Sequence, residues 1–171
     1  MQDYKFTYFH VATIVIIYFS MNIKEAKIKL ESYCAYQERS QMEARKKLNE
    51  LGLYGDDAEE LIVDLIASNF LNEERFAKSF IGGKFRIKRW GKNKILSSLR
   101  QHDISDYCIK VGMKEIEKEE YLKVMEKLII TKNETLQEDN IYIKRNKIAK
   151  SLIARGFEPE MIWVYLKQHI L

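Results

Sequence analysis

The sequence predicts an all-α fold of tandem three-helix repeats, and three observations carry that expectation. Its 171 residues include one proline and seven glycines, and 32% are Asp, Glu, Lys or Arg; sheet-rich folds need more turn residues and fewer Lys and Glu. From Asn22 onward apolar residues recur at the spacing of one helix face. One apolar–turn–apolar register also occurs three times: Leu48-x3-Gly52-Leu53, Leu99-x3-Asp103-Ile104 and Leu152-x3-Gly156-Phe157, with the turns 51 and then 53 residues apart. Ile109 and Ile162 follow their turns at matching distance, while the first copy has a longer loop before Leu61. Agreement in order and spacing favours duplication over chance similarity between amphipathic helices. Stacked units of this kind imply an elongated, curved array, with repeats over residues 22–70, 71–116 and 117–171.

Each repeat supplies its own punctuation. In the first, Ala26, Leu30, Tyr33 and Cys34 form the apolar face of a helix over 23–37. Ser40 with Glu43 is a capping box that opens a second helix bearing Arg45, Lys46 and Lys47. Gly52 ends it, where a left-handed residue costs least. Asp56 with Glu59 opens the third, which buries Leu61, Ile62, Leu65 and Ile66, its early acids suiting the helix dipole. In the second repeat Asn72 caps a helix to about residue 88, Trp90 and Gly91 break it, a short helix covers 92–101, and Ser105 caps another to about 116. Gly82 and Gly83 fall inside the first of these, each at about 1 kcal/mol against alanine, which reads as close packing or a bend. The third repeat has a helix over 117–132, a polar loop, a helix over 139–155, and a last one begun by Pro159 at a first-turn position.

Residues 1–21 do not share this pattern. FTYFHVATIVIIYF, residues 6–19, is apolar, aromatic and β-branched. Fourteen residues fall short of the roughly twenty that span a bilayer as a helix. Asp3 nearly cancels Lys5 and Ser20-Met21-Asn22 is a poor cleavage site, so a signal peptide is not expected either. The reading is a start at Met21 with an upstream extension of the frame; a membrane anchor is the alternative, and it would make the protein a tethered helical adaptor.

The charge is uneven although the net is only +4. Residues 76–102 hold eight Lys or Arg and no acid, threaded with Phe76, Phe80, Phe85 and Trp90, whereas residues 56–64 hold five acids and residues 115–120 hold four. Such polarity suits a protein that meets a polyanion or an acidic protein surface, although a charge run by itself is most often a solvated face. The interaction residues expected first are Lys84, Arg86, Lys88, Arg89, Lys92 and Lys94, and second Arg45, Lys46, Lys47, Lys144, Arg145 and Lys147. Trp90 could stack on a base, but an aromatic beside a helix-breaking glycine is more often a packing anchor. Phe76 and Phe80, four apart, read as core. Glu73 and Glu74 sit at a helix start, where the dipole explains them without chemistry.

No nucleophile–His–acid set, phosphate-cradling glycine loop or metal-ligand cluster occurs, so neither an enzyme nor a cofactor nor a metal is expected. Cys34 and Cys108 lack CxxC spacing and read as small core residues of a reduced, cytoplasmic protein. His10, His102 and His169 are unclustered.

Three segments carry a family resemblance. Ala35-Tyr36-x-Glu38-Arg39-Ser40-x2-Glu43-x-Arg45-x-Lys47-Leu48, then Phe70-Leu71-Asn72-Glu73-Glu74-Arg75-Phe76-Ala77, then Lys88-x2-Gly91-x3-Ile95-x3-Leu99 together resemble, in order, the signatures of RecX, the bacterial regulator of the RecA recombinase. The resemblance covers about residues 24–171. The chain departs at Gln101-His102-Asp103, where the family often has a Lys-Gly turn, and at Ser98, often an acid. The resemblance implies tandem three-helix repeats, a monomer, binding to the RecA nucleoprotein filament, and restraint of its ATPase, strand-exchange and co-protease activities, with weaker nonspecific binding to single- or double-stranded DNA. The alternative expectation is a sequence-nonspecific DNA-binding helical module that acts without RecA.

Overall fold

The computed structural model describes residues 23–170. The apolar segment over 6–19, the start at Met21 and His10 lie outside them. Among the described residues the elements are nine α-helices and one 3-10 turn: α1 (Ile23–Tyr36), α2 (Gln41–Glu50), α3 (Gly55–Ala67), α4 (Glu73–Arg86), α5 (Lys92–Gln101), α6 (Asp106–Gly112) followed by the 3-10 turn Met113–Glu115, α7 (Lys118–Thr135), α8 (Ile141–Ala154) and α9 (Pro159–His169). No helix among them is long and apolar enough to cross a membrane. Two compact units divide the chain between Glu73 and Glu74.

The first unit closes α1, α2 and α3 around Ala26, Leu30, Ala44, Leu48, Leu61, Ile62 and Leu65. The capping box forms: the Ser40 hydroxyl accepts from the Glu43 N–H at 3.1 Å, and the Glu43 carboxylate accepts from the Ser40 N–H at 3.0 Å. Helix α3 begins one residue before the expected Asp56, with Tyr54 at its cap and no side-chain bond there; Asp56 and Asp57 are first-turn acids instead. Ile66 is exposed rather than buried. The Lys27 ammonium bonds the Asp64 carboxylate across α1 and α3. Burial pushes the Cys34 thiol up to about 11, so it is a core residue and a poor nucleophile.

The second unit holds α4 to α9 on one apolar cluster that includes Phe76, Ala77, Ile81, Phe85, Ile95, Leu99, Tyr121, Met125, Ile148, Leu152, Phe157 and Ile162. Helix α6 crosses α4 at Gly112, where a Cβ would sit 2.6 Å from Ile81 Cδ1. Gly82 and Gly83 play no such part. A Cβ at Gly82 would meet only the tip of Arg86 at 3.4 Å, one at Gly83 nothing within 4 Å, and α4 runs through both. Close packing does not explain them.

The three register turns share one geometry. Gly52, Asp103 and Gly156 have φ of 82°, 54° and 90°. The following N–H in each case reaches the carbonyl five residues back: Leu53 to Leu48 at 3.0 Å, Ile104 to Leu99 at 3.2 Å, Phe157 to Leu152 at 3.1 Å. The turn residue's own N–H bonds the carbonyl three back, to Asn49, Arg100 and Ile153. Each is a Schellman ending that places an apolar residue under the helix just finished. Asp103 keeps this geometry without glycine.

Candidate functional site

Helix α5 has no side chain capping its N-terminus, and its first N–H groups are met from other elements. The Gly91 N–H donates to the Arg155 carbonyl at 2.8 Å and the Asn93 N–H to the Gly156 carbonyl at 3.0 Å. The Lys92 N–H donates to the Tyr121 hydroxyl at 3.1 Å, and that hydroxyl in turn donates to the Glu158 carboxylate. The orphan donors of α5 thereby satisfy the orphan carbonyls that end α8, with opposite dipole ends meeting. The approach requires glycine, because a Cβ on Gly91 would lie 2.2 Å from the Gly156 carbonyl carbon and the Phe157 nitrogen. Burial and the Glu158 carboxylate both hold the Tyr121 hydroxyl protonated well above its ordinary range.

This junction fixes the basic stretch. Trp90, half-buried, packs on the core cluster, as its place beside a helix-breaking glycine suggests. Over its ring lie the ammonium groups of Lys84, 5.0 Å from the centroid, and Lys94, 4.6 Å. Lys84 also approaches the Phe80 ring at 4.8 Å. Lys92 lies over the Tyr121 ring at 4.6 Å. Stacking on rings orders these cations while leaving their charge uncompensated. Arg86 donates to the Glu115 carbonyl at 3.2 Å and stands 3.8 Å from the Glu120 carboxylate, which takes up part of its charge. Lys88 and Arg89 are exposed beyond the end of α4. Arg89 has φ of 54°, the left-handed region, with its N–H on the Phe85 carbonyl and the next N–H, that of Trp90, on the Lys84 carbonyl.

The second group of basic residues divides differently. In the first unit Arg45 holds the Glu59 carboxylate with two N–H groups, at 2.7 and 2.9 Å, and draws that carboxyl below its ordinary range. Lys47 pairs with Glu50 at 3.1 Å, and Lys46 is exposed. On α8, Arg145 Nε donates to the Ile170 carbonyl at 2.8 Å and Lys147 pairs with Glu138, so both tie elements of the fold together; Lys144 is half-buried. Ten residues separate Arg145 from the α5 junction at Arg155, about 15 Å of helix, so the basic residues of α8 do not join the cations around Trp90.

The charge pattern alone does not single out Lys123 and Lys127. On α7 they flank Val124 and Leu128, and with Arg89 they line one groove of about 340 Å³. The signal available in the sequence was their four-residue spacing beside two aliphatic residues of the same face. Among the described residues no group of three His, Cys, Asp or Glu could hold a metal.

The family model for the second three-helix domain of RecX matches residues 72–112, the span of α4, α5 and α6. The regulatory protein RecX of Lactobacillus johnsonii is 28% identical over 130 residues, which are 76% of this chain and 48% of that protein. That of Clostridium botulinum is 31% identical over 137 residues, 77% of this chain and 62% of that one. The chain belongs to the RecX family. It spans about half the length of the curated RecX relatives it matches. The crystal structure of RecX from Lactobacillus salivarius superposes with a TM-score of 0.74 at 23% identity, over 85% of this chain and 95% of that one. A second RecX crystal structure gives 0.77 at 19% identity, over 93% and 78%. At those identities the likeness is one of fold, and the RecX fold here is all-α, built from repeated three-helix units.

Proposed function

We propose that this chain is a non-enzymatic regulator that binds the RecA nucleoprotein filament and restrains its ATPase, strand-exchange and co-protease activities. The observation that carries the reading is a RecX-family chain whose second repeat gathers ordered, largely uncompensated cations: Lys84 and Lys94 over Trp90, Lys92 over Tyr121, and Lys88 and Arg89 exposed beside them. The filament offers such a surface both acidic protein and DNA phosphate. Contacts to phosphate release counterions and make affinity fall with salt. Arg86, drawn toward the Glu120 carboxylate, and Lys92, laid over the Tyr121 ring beside the α5 junction rather than over Trp90, act behind Lys84, Lys88, Arg89 and Lys94. Arg45, Lys47, Arg145 and Lys147 stabilise their own units first, and Lys46 and Lys144 contribute at the margin. The protein acts as a cytoplasmic monomer, with weaker nonspecific DNA binding.

Co-sedimentation with RecA filaments formed on single-stranded DNA, beside the same DNA without RecA, tests this. The chain should pellet with filaments at concentrations that leave it unbound to bare DNA. Replacing Lys84, Lys88, Arg89 and Lys94 together by alanine should weaken filament binding about tenfold or more, equivalent to about 1.4 kcal/mol. Equal binding to bare DNA would instead favour a DNA-binding module that acts without RecA.

A further inference from the structure

Arg89 stands apart from the other non-glycine residues with positive φ. Those are Asn69 and Asp103, residue types that enter the left-handed region with little resistance; a long unbranched side chain gains nothing there that glycine would not provide more cheaply. Strain of this kind, held in place by surrounding bonds, directs attention to what the side chain does. The Arg89 side chain lines the groove on α7, with Lys123 and Lys127 also on its wall. Among the described residues none of these three cations has a carboxylate within ion-pair distance. Glu120, the acid on the same wall, is within reach of Arg86. The floor is aliphatic: Val124 and Leu128 are half-buried, packed on the core on one side and open to the groove on the other.

We infer that this groove binds an acidic peptide segment that carries an aliphatic side chain. Three free cations match two or three carboxylates, Arg89 being suited to a bidentate contact, and Val124 and Leu128 give an apolar anchor a place to leave water. The same features serve a nucleic acid poorly. No aromatic ring lines the groove for a base to stack on, and a phosphodiester gains nothing from an aliphatic floor. The inference assigns partner chemistry to one part of the basic stretch and is tested without a filament, so either reading can fail while the other stands.

The test is fluorescence anisotropy of the whole chain with a short labelled peptide of aspartates and glutamates centred on a leucine pair. The same peptide with glycines for the leucines, and oligo(dT) as competitor, complete the set. The leucine peptide should bind saturably and about tenfold more tightly than the glycine peptide. Lys123→Ala with Lys127→Ala should weaken it by a similar factor. Arg89→Gly should weaken peptide binding while raising the denaturation midpoint, since it removes the charge and the strain together; were Arg89 present only for structure, the midpoint would fall and peptide binding by the folded chain would stay unchanged. No saturable binding, equal binding of the two peptides, or oligo(dT) alone losing affinity in the lysine variants would overturn the inference.

Discussion

A single backbone angle decides what Asp103 contributes. At φ of 54° a side chain with a Cβ meets the following carbonyl, a conflict of about 1–2 kcal/mol for most residues and less for Asp, whose short polar group bonds locally. The equivalent turns use Gly52 and Gly156. Asp103→Gly should therefore stabilise the chain by about 0.5–1 kcal/mol in urea unfolding, and destabilisation would mean that the Asp side chain holds the turn. Gly83 presents the opposite case, with helical backbone and open space at its Cβ. Gly83→Ala should add about 1 kcal/mol by reducing the freedom of the unfolded chain, unless α4 is bent there. The repeat register made the position of the Asp103 turn legible from sequence, because Leu99 and Ile104 keep their places around it. The left-handed Arg89 was not legible. Nothing in Lys88-Arg89-Trp90 resembles a turn code, and the backbone there follows from Trp90 seeking the core.

Among elements, α5 is placed by a close backbone junction. Its N-terminal N–H groups bond the carbonyls that end α8, and Gly91 lies against Gly156 with no room for a methyl group. The listener to that contact is the basic stretch, since Lys92 and Lys94 belong to the first turn of α5 and Lys94 packs on Gly156. In Gly91→Ala the obstructing atoms are backbone, which cannot rotate away as a side chain does. It should cost about 1–3 kcal/mol or more and loosen the geometry around Trp90, read as a lowered urea midpoint with altered tryptophan fluorescence. A fold unaffected by the methyl group would show that α5 docks otherwise. The sequence marked Gly91 as a breaker and Gly156 as a helix end, which was right for each locally. That they meet could not be read from either, because the docking pairs residues sixty-five positions apart. Helix α3 carries a smaller lesson: Asp56 and Asp57 signal a helix start, but the loop from Gly52 sets the first turn at Gly55.

At the scale of the whole molecule, periodicity was sufficient for the all-α repeat architecture, and three short signatures were sufficient for the family. The candidate interaction surface was legible only as a region. Eight cations in one run could not be ranked without knowing that Arg86 is drawn toward Glu120 and that Lys84 and Lys94 share one indole, nor could Arg45 and Arg145 outside it be set aside without seeing that they hold the fold together. The acid-free composition of the run set its sign, while the docking of α5 decided which members remain ordered and available. The central claim is action on a formed filament, and the RecA ATPase on single-stranded DNA tests it most directly. Filaments are assembled first and the chain is then titrated in. Inhibition well below one chain per RecA, weakened by replacing Lys84, Lys88, Arg89 and Lys94, is the expected result; an ATPase that stays unchanged until the chain saturates the DNA would contradict it.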